Sequence, residues 1–197
     1  ELKPTIQKWN VNLVGKHFEQ FTLDDGFITE GWGDNGLQYT HLYAPRILRE
    51  SVYSTDQDGN KLYGQKDLTK QNGSEVSSIG HSPIIGWAYD GNPIYGPISN
   101  NNVGTGLTFV QSSYTVSPIN DINYRPPQTV YPNGYFIEDY IYDESGDLDE
   151  YNGKFTTTPD YPNGIYAYFS TVDKFNFEPT FPYTTIKHRD ATDTFNY

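Results

Sequence analysis

The segment His81-Ser-Pro-Ile-Ile-Gly-Trp-Ala-Tyr-Asp-Gly-Asn-Pro-Ile-Tyr-Gly-Pro97 gathers an imidazole, a carboxylate, an amide and several rings within seventeen residues. Two chemistries fit it. In one, Trp87, Tyr89 and Tyr95 offer stacking faces while Asp90 and Asn92 hydrogen-bond hydroxyl groups, the make-up of a carbohydrate-binding pocket. In the other, Asp90 and Asn92 bond to the backbone of a rigid turn, as Asx side chains do. Gly91 then supplies positive φ, Pro93 and Pro97 restrict their neighbours, and Gly96 admits the close approach of another backbone.

A second cluster is Asp143-Glu-Ser-Gly-Asp-Leu-Asp-Glu150. Asp143, Asp147, Asp149 and Glu150 are oxygen ligands of the kind that hold calcium, the one cofactor the chain suggests. Their spacing departs from the EF-hand loop, and a solvated acidic turn is the competing reading. Asp56-Gln-Asp-Gly-Asn60 opens like a calcium loop, but its twelfth position is Asp67 rather than Glu, which favours a tight turn.

No motif marks a catalytic residue. His17, His41, His81 and His188 are scattered, with no His-Glu-x-x-His pair, nucleophile elbow, Walker loop or dinucleotide fingerprint. A hydrolase would have to use Asp90 or Asp147 as its carboxylate and His81 as its base. That reading requires His81 to hydrogen-bond an acidic side chain in an open cleft.

The elements that must position these groups are short. Asx-Gly pairs recur at Asp25-Gly26, Asp58-Gly59, Asn72-Gly73, Asp90-Gly91, Asn133-Gly134, Asn152-Gly153 and Asn163-Gly164, and such pairs are strong hairpin signals. Strand-like runs lie between them at Val130-Tyr131, Tyr135 to Tyr142, Lys154 to Thr157, Ile165 to Val172 and Phe181 to Ile186. Helical spacing is approached from Thr5 to Leu23, and a short helix fits Pro45 to Val52. Ser99 to Gly106 reads as a surface loop. The tetrapeptide Tyr-Pro-Asn-Gly occurs at 131–134 and again at 161–164, too few copies for a repeat architecture. These features predict a mainly β fold: a single compact domain of short antiparallel strands, sandwich-like, with many tight turns and one or two short helices. Residues 1–75 form an N-terminal segment packing on a β domain of residues 76–197.

Composition agrees. Eighteen Tyr and eleven Phe in 197 residues suit pleated, half-buried surfaces. A formal net charge of -12 disfavours nucleic acid as a partner. With no Cys there are no disulfides and no thiolate chemistry. Apolar stretches such as Ile79 to Tyr89, interrupted by Gly, Pro and His, are too short to span a bilayer. The absence of Met suggests a module taken from a longer polypeptide.

Taken together, His81 to Pro97, Gly146-Asp-Leu-Asp-Glu-Tyr-Asn-Gly-Lys154, Thr158-Pro-Asp-Tyr-Pro-Asn-Gly-Ile-Tyr-Ala-Tyr-Phe169 and Phe181-Pro-Tyr183 resemble, in order, the blocks of the YHYH domain family. His81, Asp90, Gly91, Pro93, Tyr95 and Gly96 are the signature positions of the first block. The Tyr-His-Tyr-His positions correspond to Tyr166, Ala167, Tyr168 and Phe169. Both imidazoles are therefore absent, and no metal or proton-transfer role for them carries over. Alternation along a strand puts Tyr166 and Tyr168 on one face and Ala167 and Phe169 on the other, which suits a face that has become core.

The blocks Gln7-Lys-Trp-Asn-Val-Asn12, Asp24-Asp-Gly-Phe27, Leu37-Gln-Tyr39 and Ala44-Pro-Arg46 extend the resemblance to the version carried inside large virion structural proteins of T4-like cyanophages. That resemblance implies a non-enzymatic component of a phage tail, baseplate or fibre. Its partners would be other virion proteins, copies of itself and a host surface glycan, and its location the extracellular particle after assembly in the host cytoplasm.

Overall fold

The structure, a computed structural model, describes residues 9–12, 27–30, 37–40, 81–101, 106–118, 125–174 and 179–190. Its strands are β1 (Phe27–Glu30), β2 (Leu37–Thr40), β3 (Ile84–Trp87), β4 (Pro93–Tyr95), β5 (Ile98–Asn100), β6 (Leu107–Phe109), β7 (Tyr114–Val116), β8 (Tyr140–Tyr142), β9 (Gly153–Thr156) and β10 (Ile165–Phe169). One turn of 3-10 helix, Ile137–Asp139, leads into β8. The fold is mainly β, as the turn-rich sequence predicts. Among the described residues the strands are divided among four small sheets: β1-β2, β3-β4-β10-β9, β5-β6 and β7-β8.

Turn chemistry sets these boundaries. Gly91 takes φ +85° between β3 and β4, and Gly164 takes φ +93° just before β10. In the Asn152-Gly153 pair Asn152 carries the positive φ, at 61°. Gly153 is needed for a different reason, because a Cβ there would lie 2.3 Å from the Tyr166 hydroxyl.

The four-stranded sheet departs from the antiparallel expectation in one place. β10 pairs antiparallel with β9 but parallel with β4, through Tyr168–Ile94 and Phe169–Tyr95. A parallel neighbour needs a long crossover, and the chain between β4 and β10 provides it.

Other expectations fail locally. Ser99 lies in β5 and is fully buried, so the predicted surface loop begins later. Val130-Tyr131 and Phe181 to Ile186 form turns and bends rather than strands. From Tyr135 to Tyr142 only the last three residues are strand. Within Thr5 to Leu23, residues 9–12 are extended: Val11 bridges Phe136, and the Asn12 N–H donates to the Tyr135 carbonyl at 2.8 Å. The rest of that segment, Pro45 to Val52 and the Asp56 turn lie outside the described residues.

Because β10 is internal to its sheet, both its faces are covered. Ala167 and Phe169 pack with Tyr95, Val110 and Leu148, while Tyr166 and Tyr168 pack with Ala88 on the opposite side. Ala167, Tyr168 and Phe169 have no exposed surface. The face that carries Ala167 and Phe169 is core.

A buried ion pair ties the 125–139 region together. The Arg125 Nε and Nη2 atoms meet the two Asp139 carboxylate oxygens at 2.6 and 2.8 Å. The remaining Arg125 N–H groups donate to the carbonyls of Pro126, Tyr131 and Pro132. All five guanidinium donors are thus used.

Candidate functional site

Tyr166 and Tyr168 carry polar groups on one face of the sheet. Each donates its hydroxyl to a carboxylate from a different loop. Tyr166 reaches both Asp149 oxygens, at 3.1 and 2.9 Å, and Tyr168 reaches Asp90 Oδ2. Burial, followed by the nearby Asp149 carboxylate, pushes the Tyr166 hydroxyl well above the ordinary phenol range. Burial and the bond to Asp90 do the same for Tyr168. Both remain phenols at any physiological pH.

Their acceptors are organised by turns. Asp90 Oδ1 accepts the Asn92 N–H at 3.1 Å. Burial works against its charge, but the donors from Tyr168 and Asn92 outweigh that and hold its carboxyl below the usual range. Asp149 accepts the N–H groups of Tyr151 and Gly153 at 2.9 and 3.0 Å. Tyr168→Phe removes a donor from Asp90 and is expected to destabilise the fold by about 1–3 kcal/mol. Urea unfolding of the variant measures this, and an unchanged midpoint would show the bond to be inert.

On the opposite face His81 is buried beside Tyr95, their ring centroids 4.9 Å apart. Its Nδ1 lies 2.7 Å from the Ser82 carbonyl and its Nε2 3.0 Å from the Ser99 hydroxyl. A carbonyl only accepts, so Nδ1 carries the proton and Nε2 accepts from Ser99. Burial lowers the His81 pKa to about 4. A serine hydroxyl donating to a histidine is the arrangement of an activated nucleophile, but Ser99 has no exposed surface from which to attack. Above this pair lies a cleft of about 470 Å³, lined by His81, Asn100, Leu107 and residues 157–159 and 162.

The structure corrects the composition of the predicted sites. Tyr95 cannot present a stacking face. It is fully buried, stacked on Phe169 at 5.9 Å, and its hydroxyl meets Thr158 Oγ1 at 2.9 Å and Asp160 at 3.0 Å. Trp87 and Tyr89 are 58% and 96% exposed and do present theirs. Asn92 donates its amide to Asp190 at 3.2 Å. His81 bonds neither Asp90 nor Asp147, so the pairing the hydrolase reading required does not form.

The acidic residues 143–150 do not converge. Asp143 accepts from Thr115 and Ser145, Asp147 accepts the Gln111 N–H, Asp149 accepts from Tyr166, and Glu150 pairs with Lys187. Among the described residues no group of three or more His, Cys, Asp or Glu is placed to hold a metal ion.

The site also has members that motif reading passes over. Lys187 and Arg189 lie against Tyr151 and Tyr166, with centroid distances of 4.6 and 4.4 Å. Their signal was available as Lys187-His188-Arg189, a run of basic residues in an acidic chain.

The model of the family described as YHYH protein matches residues 3–181. The chain belongs to the YHYH family. No curated protein and no solved structure matches it. In this YHYH protein Tyr166 and Tyr168 are cross-links between a sheet and two loops. Among the described residues, no helix is long and apolar enough to cross a membrane.

Proposed function

We propose that this chain is a non-catalytic structural module of a bacteriophage virion, part of a tail, baseplate or fibre component, serving assembly or host attachment. One observation carries the reading: Tyr166 and Tyr168 are each pinned to a carboxylate inside the fold, and the positions between and after them are Ala167 and Phe169 in the core. Groups held in this way stiffen a sheet against its loops. The setting is supported by the blocks similar to those of large virion proteins of T4-like cyanophages. Partners on this reading are other virion proteins and further copies of the chain, since such particles are built by symmetric repetition.

Immunogold labelling of purified particles with antibodies against the module tests the proposal. Label at one fixed place on the particle is the expected result. Recovery of the chain only from the soluble fraction of lysed host cells would overturn it, as would its encoding as a free-standing secreted bacterial protein.

Carbohydrate binding is a second reading, favoured by the exposure of Trp87 and Tyr89. Aromatic faces of this kind stack on sugar rings, and host attachment by the module would use them. Titration with host-surface glycans, followed by Trp fluorescence, should give a saturable change that Trp87→Ala abolishes. No change with any glycan would remove the reading.

A further inference from the structure

Residues 184–190 run across the face of the sheet that carries Tyr166 and Tyr168. The Asn152 amide donates to the Thr184 carbonyl at 2.6 Å. Lys187 Nζ meets Glu150 at 2.5 Å beside the Tyr151 ring, and the Arg189 guanidinium covers the Tyr166 ring. The Arg189 backbone N–H donates to the Tyr168 hydroxyl at 2.6 Å, and that of Asp190 reaches Asp90 at 3.4 Å. Two cations two positions apart are thus each matched to a tyrosine ring, on a surface that also carries Asp90, Asp149 and Glu150. Ring faces and carboxylates together are the chemistry that recognises ammonium and guanidinium groups.

The receiving residues all lie inside the family match, which ends at residue 181, whereas the covering segment lies beyond it. The segment is held from outside. The side chains of Lys187, Arg189 and Asp190 remain 49%, 46% and 57% exposed, and exposed pairs of this kind are weak and screened by salt. The surface is built into the sheet, while its occupant is attached by one exposed ion pair, Lys187–Glu150, and by part-buried backbone bonds at Thr184 and Arg189.

We propose that this face is a docking site for a basic Lys-x-Arg segment, and that it accepts residues 187–190 of a second copy in exchange for its own. The occupant is identified by the segment already seated there, and every copy carries both the face and the segment. A short tether gives the covalently attached segment an effective concentration on the order of millimolar. Exchange is therefore suppressed in dilute solution and favoured wherever copies are held side by side. It does not depend on whether the copies meet on a particle.

The test uses the full chain and a fluorescent peptide of the sequence Thr-Thr-Ile-Lys-His-Arg-Asp. In the K187E/R189E variant the attached segment is repelled by the acidic face, leaving the site open. Fluorescence anisotropy is expected to show the peptide binding this variant at least tenfold more tightly than the wild-type chain. Binding should weaken as salt is raised and several-fold with an added Glu150→Gln. A peptide with Gln in place of Lys and Arg should not bind. All substituted side chains are about half exposed, so thermal unfolding close to wild type verifies that the variants fold. No gain in affinity for K187E/R189E in a folded variant would overturn the proposal, as would equal binding of the Gln peptide. In either case the segment serves only as a clamp on its own chain.

Discussion

Asp139→Ala is expected to lower the stability of the fold by about 3–5 kcal/mol, the effect of stranding one member of a buried ion pair. Asp139 has no exposed surface, and the Arg125 side chain is 3% exposed. Burial alone would discourage ionisation of Asp139, but the guanidinium and the N–H groups of Phe136 and Gly134 outweigh it and hold the carboxyl below its ordinary range. Removing the carboxylate leaves a guanidinium facing three carbonyls, and leaves the Gly134 and Phe136 N–H groups without this acceptor. The first Tyr-Pro-Asn-Gly turn would lose the group that organises it. A thermal midpoint lower by roughly 10 °C is the expected reading for a chain of this size. Arg125→Lys should fall in the same direction, because an ammonium cannot make the forked contact. A shift below about 1 kcal/mol in both variants would show that the pair contributes little beyond what water supplies.

The second large effect is a dependence on pH centred on His81. An unfolded histidine titrates near 6.5 and His81 in the fold near 4, chiefly because burial penalises the imidazolium. Above pH 6.5 the ring is neutral in both states and contributes no slope. Between pH 6.5 and 4 the unfolded chain takes up a proton that the folded chain refuses, so stability falls as the solution is acidified. Below 4 both states hold the proton and the loss is complete. At about 1.4 kcal/mol per pH unit, the whole loss is about 3 kcal/mol. Asp90 and Asp139, with carboxyls held below the usual range, lose their contributions at still lower pH. The His81 ring resonances, followed by NMR, should stay in the neutral position until the pH approaches 4. A midpoint near 6.5 would refute the assignment, and His81→Gln should flatten the stability slope across that window.

The parts of this fold that could be read from the sequence are those fixed by local chemistry. Asp90-Gly91 and Asn163-Gly164 act as turns because Gly takes positive φ without a Cβ clash. β10 was legible because an Asn-Gly turn feeds its aromatic run, whose two faces, Ala167 with Phe169 and Tyr166 with Tyr168, are both covered. What could not be read depends on groups far apart in sequence. Nothing near Tyr168 announces Asp90, and the parallel neighbour of β10 comes from a strand about seventy residues earlier. Tyr95 and Trp87 looked equivalent as ring faces. One lies in the middle of a four-stranded sheet and the other at the end of its edge strand, and only the pairing order decides which is buried. The acidic run 143–150 shows the same dependence, since Asp143, Asp147, Asp149 and Glu150 each meet a different partner. Clustering along the chain does not make side chains converge when each has a partner elsewhere.

The N-terminal strap at residues 9–12 has a consequence for how the protein is made. Asn10 bonds to Glu138, Val11 bridges Phe136, and Asn12 accepts the Tyr183 hydroxyl at 2.9 Å across a separation of 171 residues. Closing so long a loop adds little to the equilibrium balance, because that entropy grows only with the logarithm of length. It weighs on timing instead. Translation adds about 5–20 residues per second, so residues 9–12 leave the ribosome many seconds before their seat exists. The final closure must wait until Tyr183 has been synthesised, so this fold is completed from its C-terminal blocks back to residues 9–12.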